Sequence, residues 1–206
     1  MGEALGDFLI EFFNNPYLAV FVVAMVPLIE LKGAIPIGMT PAFGLTLIET
    51  AIFAYLGSTL VSFLVFFLLK PVFKLLKKIK IFNLVVRKCE GLFIHKAEKI
   101  AAKTNGSVEK EAKRIMIISL LIFVAVPFPV TGVWTGTAIA LFLGLRFREV
   151  VMPLALGNLI AGALITLLTF LFRDYVDIII YCLFALAIIM LIVTVIKIAK
   201  SKPSED

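Results

Sequence analysis

Glu30 and Lys32 are the residues best placed to do chemistry in this 206-residue chain. They stand two apart between Pro27 and Pro36, with apolar sequence on both sides. A charge at mid-membrane costs about 3 kcal/mol on insertion scales, so it lines a pathway or finds a partner. Two residues apart in a non-helical tip, the pair can face one cavity. The carboxylate would take a proton or cation there, and the ammonium an anion. The structural alternative is an ion pair that holds the tip together, or a lysine that snorkels from a shallow tip.

One hundred residues further on, Val130 and Gly132 replace the two charges. That stretch offers hydroxyls instead, at Thr131, Thr135 and Thr137, with Trp134 among them. A site made where the two tips meet would be charged on one side and hydroxyl-lined on the other. Backbone N–H groups freed at helix starts near Gly38 and Thr137 would add anion affinity. Trp134 serves equally well as a packing or interfacial aromatic. Asn158 is an amide near mid-span and requires a partner. Pro27, Pro36 and Gly33 in the first tip, and Pro127, Pro129 and Gly132 in the second, are the residues that interrupt helices. Other chemistry finds little footing. The single histidine, His95, lies in a basic stretch outside the apolar segments, no Ser–His or Cys–His dyad can be assembled within them, and there is no P-loop. Neither an enzyme nor a metal or organic cofactor is expected, beyond a coupling proton or cation.

The elements that must carry these residues are membrane elements. The chain is 62% hydrophobic and 17% charged, and its mean hydropathy is +1.10. Three segments reach the ~20 apolar residues that span ~30 Å of hydrocarbon: residues 47–69, 150–172 and 178–198. Two further apolar runs, residues 17–29 and 115–126, are too short, reaching only ~18–20 Å before a Pro/Gly cluster breaks them. A second short arm follows each break and ends at Phe43-Gly44-Leu45 or Leu143-Gly144-Leu145. The simplest reading is a re-entrant hairpin, tolerated where protein or water satisfies the irregular backbone. The alternative is a pair of Pro-kinked full spans over residues 17–43 and 115–143.

Charge placement separates the two. Of the 20 Lys and Arg, 13 lie between Lys70 and Arg114, which places that segment in the cytoplasm. With returning hairpins the N-terminus is outside, and Arg146, Arg148 and the basic C-terminus are inside. With kinked spans all three basic groups would land outside. The same topology makes two halves of the chain inverted copies. Between residues 20–70 and 120–170 there are nine identities without a gap, among them Pro27/Pro127, Gly44/Gly144, Glu49/Glu149 and Gly57/Gly157. Copies inserted in opposite directions are a known way to build a transport site. Glu49 and Glu149 open the two spanning helices, where a carboxylate complements the helix dipole. Gly57 and Gly157, with Ser58, Asn158, Ser62 and Gly162, give each span a small-residue face suited to close packing.

The connector, residues 71–107, reads as amphipathic. Val72, Leu75, Leu76, Ile79, Phe82 and Val86 follow helical spacing with Lys74, Lys77 and Lys78 between them. Such a helix lies on the inner leaflet, its lysines drawn to anionic headgroups. Gly91 is expected to break it, and Ser107 with Glu109 and Glu111 to start the next helix. The net charge of +6 belongs to this cytoplasmic face and not to nucleic-acid binding. Cys89 and Cys182 fall in a basic region and a membrane segment, so no disulfide framework is expected.

The two tips also carry recognisable sequence. The run from Val26 to Gly38, VPLIELKGAIPIG, resembles the ELRGAIP-type signature of the small multi-drug export protein family. The run from Val126 to Gly136, VPFPVTGVWTG, resembles that family's P-x-P-x-T-G-x-W-T-G stretch. The resemblance covers residues 16–173. Lys32 stands where arginine is more usual, keeping the charge but losing bidentate geometry. The family looks distantly related to the DedA/VTT proteins, which share re-entrant hairpins in an inverted repeat and include polyprenyl-phosphate translocases and lipid scramblases. The resemblance thus implies a membrane-transport architecture.

The expected fold is an all-α polytopic membrane protein forming one membrane domain. It comprises repeat 1 over residues 16–70, the connector over 71–107, repeat 2 over 108–173 and a C-terminal transmembrane helix over 177–199. Each repeat is a re-entrant hairpin plus a spanning helix. A homodimer in the plasma or inner membrane, in contact with anionic lipid, is expected. The expected activity is translocation of an amphipathic anion such as a polyprenyl-phosphate lipid through a midplane site. A proton-coupled exporter of small organic ions is one alternative, and a membrane-organising protein without transport is another.

Overall fold

The computed structural model describes residues 2–76, 78, 80–104, 107–128, 131–175 and isolated positions between 178 and 196. The expected C-terminal span, residues 177–199, therefore lies largely outside the described residues, as do Pro129 and Val130. Among the described residues the fold is all-helical: α1 Gly2–Phe13, α2 Pro16–Val23, α3 Glu30–Gly38, α4 Leu47–Leu76, α5 Lys80–Thr104, α6 Val108–Ala125, α7 Val133–Phe142 and α8 Phe147–Leu171. Contacts divide the chain into two compact units. The first holds Met1–Gly57, Pro127–Val130 and Gly162–Asp206, and the second Ser58–Val126 and Thr131–Ala161.

Among the described residues two helices are long and apolar enough to cross a membrane, α4 and α8. Over their central turns the outward faces are apolar: Ile48, Ile52, Leu56, Leu60 and Leu64 on α4, and Met152, Leu156, Ile160, Leu164 and Leu167 on α8 are all exposed. A stripe of that length is a liability in water and an ordinary surface in lipid. The protein is an integral membrane protein.

In the first unit the chain enters α2 through Asn15, whose side-chain oxygen accepts from the Leu18 N–H at 3.1 Å, with Pro16 at the first helical position. The helix then stops after eight residues. Leu28 and Glu30 both adopt left-handed backbone, with φ 72° and 49°. α3 starts at Glu30 and is buried over all nine of its residues. It is covered on several sides: its last residue, Gly38, lies against Val20 of α2 and Thr50 of α4, and Leu31 lies against Gly162 of α8.

In the second unit α6 is capped by the extended backbone of Ser107. It ends at Ala125 and is followed, across a break, by α7, against which it packs. α5 packs along α6 as well. Asn158 of α8 is tied to α4, accepting from the Ser58 hydroxyl at 3.3 Å and donating to Thr59 Oγ1 at 3.0 Å. Phe147, at the start of α8, sits among Phe63, Phe66 and Phe67 with centroids 4.8–5.8 Å apart.

Several expectations need correction. Pro27 and Pro127 lie in non-helical breaks, so neither proline sits inside an unbroken helix. The first break is shorter than expected: it closes before Glu30, and Glu30, Lys32, Gly33 and Pro36 belong to α3. Pro36 is tolerated there because only one backbone bond, to the Lys32 carbonyl, is lost. The long helix of the first repeat continues into the residues read as connector. α4 runs through Pro71 to Leu76, and α5 runs from Lys80 to Thr104 straight through Gly91. A helical glycine costs about 1 kcal/mol, which packing along α6 offsets by burying Val86, Ala97 and Ala101. α5 thus has a helical partner in α6. Helix α1 was not anticipated at all.

Candidate functional site

Glu30 and Lys32 share the first turn of α3, and they are 5% and 4% exposed. Lys32 Nζ stands 3.6 Å from Glu30 Oε2. The same ammonium donates to the carbonyl oxygen of Phe128, 2.9 Å away, in the second break. The first unit therefore holds a three-part cluster: carboxylate, ammonium and a backbone carbonyl from 96 residues downstream. An isolated buried charge carries a desolvation penalty of several kcal/mol. The cluster offsets it by pairing opposite charges and by giving the ammonium a carbonyl that an irregular backbone leaves available. The left-handed φ values of Leu28 and Glu30 cost of order 1–2 kcal/mol each for non-glycine residues. Strain of this kind is found where a fold requires one particular presentation of a side chain. Here it aims Glu30 and Lys32 inward from a helix start.

The remaining residues expected at the site belong to the second unit. Thr131 donates its hydroxyl to the Val126 carbonyl at 2.8 Å and closes the second break. Thr137 is fully buried, and its hydroxyl is spent on the Val133 carbonyl one turn back, at 2.6 Å. Thr135 and Trp134 are half-buried on α7. Asn158 has its partners in Ser58 and Thr59 and acts as a clasp between α4 and α8. Gly33 is buried, and Gly132 caps α7 in extended backbone.

The corners opening the two long helices match closely. Gly44 and Gly144 both adopt left-handed backbone, φ 61° and 71°. Glu49 Oε2 accepts from the Thr46 N–H, and Glu149 Oε2 from the Arg146 N–H, each at 2.8 Å. Their other contacts differ: Glu49 accepts from the Tyr17 hydroxyl at 3.1 Å, whereas Glu149 pairs with Lys113 at 2.7 Å. The glycines at 57 and 157 correspond too. A Cβ on Gly57 would run into the Phe21 carbonyl, and one on Gly157 would stand 2.7 Å from the Leu121 carbonyl.

Sequence reasoning missed the Phe128 carbonyl, because a backbone atom carries no residue-type signal. It also missed Lys113 and Tyr17 as partners of the two glutamates. The partner of Asn158 was within reach, since Ser58 occupies the corresponding position of the other copy.

Fold and site together define an all-helical membrane protein with buried, paired charges beside a helix break. The family model described as "Putative small multi-drug export protein" matches residues 30–164, and the chain belongs to that family. The matched region begins at Glu30, so it takes in α3 through most of α8 and is shorter than the resemblance read from the two tips alone. No curated protein and no solved structure matches the chain. The likeness to DedA/VTT proteins gains nothing from these comparisons.

Proposed function

We propose that the protein exports a small amphipathic ion across the membrane, with the Glu30–Lys32–Phe128 cluster as its binding site and gate. The observation that carries this reading is the Lys32-to-Phe128 bond, which joins the two helix breaks through the one buried cation of the cluster. The bond from the Lys32 ammonium to the Phe128 carbonyl is charged on the donor side alone, and a phosphate or carboxylate would add an opposite charge on the acceptor side. An anionic substrate would therefore displace the Phe128 carbonyl from Lys32 and release one break from the other. Protonation of Glu30 would weaken its hold on Lys32 and couple this step to a proton.

The membrane arrangement follows from length and charge. α2 and α3, at eight and nine residues, extend only ~12–14 Å each, short of a ~30 Å crossing. They are read as a hairpin that enters and leaves by one face, with the N-terminus outside. The Lys- and Arg-rich segment from Lys70 to Arg114 and the C-terminus are read as cytoplasmic. Matching corners at Gly44/Gly144 and matching close approaches at Gly57/Gly157 support two structural copies, inserted in opposite directions. Ser58 and Asn158 hold corresponding positions and touch, as residues on a two-fold axis between copies would.

The preferred substrate class is an amphipathic anion, of which a polyprenyl-phosphate lipid is one member. Small organic ions of the multi-drug kind are the alternative. A non-transporting clasp is the competing role, and the saturation of Lys32 by Glu30 and Phe128 speaks for it. Reconstitution into proteoliposomes with labelled lipid phosphates and labelled organic ions decides among them. Lys32→Ala is expected to reduce flux of the true substrate at least tenfold and Lys32→Arg to retain it, while Glu30→Gln removes its dependence on a proton gradient. Flux unaffected by any of the three would refute the site.

A further inference from the structure

The second unit contains an open pocket of about 800 Å³ at the corner between α4 and the start of α8. Its lining includes four cations, Lys70, Lys74, Arg146 and Arg148, together with Phe66 and Phe147. Phe66 is buried, and it contacts Phe147 at 5.3 Å between centroids. The carboxylate that lines the pocket, Glu149, is already taken by Lys113 and by the Arg146 N–H. Glu149 also attracts the Arg146 side chain electrostatically, yet four cations line the pocket against this one carboxylate. The lining is therefore rich in both cations and aromatic rings.

We infer that this pocket binds the phosphate of an amphipathic phosphate ester, the charged group at the four cations and the adjoining apolar part along the aromatic wall. Arginine meets phosphate oxygens with a planar fork of donors, and lysine adds a compact charge, so a mixed rim suits a phosphate of variable orientation. The N-terminal end of α8 adds a favourable field at the same place. The left-handed turn at Gly144 is followed within four residues by Arg146 and Arg148, both in the lining.

Charge retained on one membrane face explains a basic surface, but it does not call for a cavity with aromatic walls. The other copy shows that the frame exists without the cations. Positions 100 residues away from the rim hold Phe170, Asp174, Thr46 and Ile48, although the Gly44 and Glu49 geometry is the same. The cationic lining has been added to one corner of a shared frame. The site is separate from the Glu30–Lys32 cluster and stands whether or not that cluster transports.

Native mass spectrometry of the full chain in neutral maltoside micelles tests it, with phosphatidylglycerol, phosphatidylcholine and inorganic pyrophosphate as probes. Wild type should retain phosphatidylglycerol at least tenfold better than phosphatidylcholine. Lys74→Gln with Arg146→Gln should remove that preference. Lys96→Gln with Lys99→Gln on α5, an equal loss of charge elsewhere, should change it less than twofold. The charge-keeping Lys74→Arg with Arg146→Lys stays within threefold, which separates binding from misfolding. Displacement of the lipid by millimolar pyrophosphate would make the phosphate itself the ligand. No displacement would make it the whole lipid, and both outcomes uphold the site. Equal losses in the pocket and α5 variants, or no preference in wild type, would overturn it.

Discussion

The two helix breaks occupy corresponding places in the chain and do different work. The first, between α2 and α3, leads straight into a fully buried helix that carries a carboxylate and an ammonium, and it holds two left-handed non-glycine residues. The second, between α6 and α7, turns its hydroxyls back on its own backbone, Thr131 on Val126 and Thr137 on Val133. What it gives the first break is a carbonyl. Around both lies the same frame: glycine corners at 44 and 144, carboxylate-capped helix starts at 49 and 149, and carbonyl-to-glycine approaches at 57 and 157. The comparison teaches that the glycines and glutamates matched at the 100-residue offset take matching local geometry, while the buried charge pair stands at positions without a match.

The largest effects should come where the breaks differ. Lys32→Met leaves Glu30 buried without its cation and should cost about 3–5 kcal/mol. The double substitution Glu30→Gln with Lys32→Met should cost less than half as much. At the second break Thr131→Val removes one neutral hydrogen bond, worth about 1 kcal/mol. Reversible unfolding in mixed micelles measures all three, and equal costs at the two breaks would erase the contrast drawn here.

The shared frame predicts paired responses. Gly57→Ala and Gly157→Ala should each cost about 1–3 kcal/mol as a methyl is forced against a carbonyl. Gly57 should suffer more, since its carbonyl neighbour is nearer. A large effect at one and none at the other would mean the two approaches are not equivalent. The smallest effects belong to the corners. Gly44→Ala and Gly144→Ala should each lose about 1 kcal/mol, because alanine resists left-handed backbone. Thermal unfolding curves for the two should nearly superimpose.

Much of the frame was legible in the sequence. Proline and glycine clusters marked both breaks, and the 100-residue offset marked the corners. What could not be read depended on backbone geometry without a residue signature. Leu28 and Glu30 are poor choices for positive φ, so nothing announced that α3 would begin at Glu30 and take both charges into a helix. Gly91 failed as a helix breaker because tertiary packing along α6 outweighs a local cost of about 1 kcal/mol. Glu30 and Lys32 themselves were legible, since two charges amid apolar sequence must be accommodated somewhere. Their partner was not, because it is a main-chain oxygen.

Ser58 and Asn158 occupy the same place in the two copies, and they touch. Were the copies two identical molecules, a position that meets its own counterpart could hold only a residue that bonds to itself, hydroxyl to hydroxyl or amide to amide. A serine facing an asparagine requires two segments that differ at this position, as residues 58 and 158 of this one polypeptide do. The hydroxyl and the amide can then take different partners, and two half-chains assembled from either segment alone would lose the pairing.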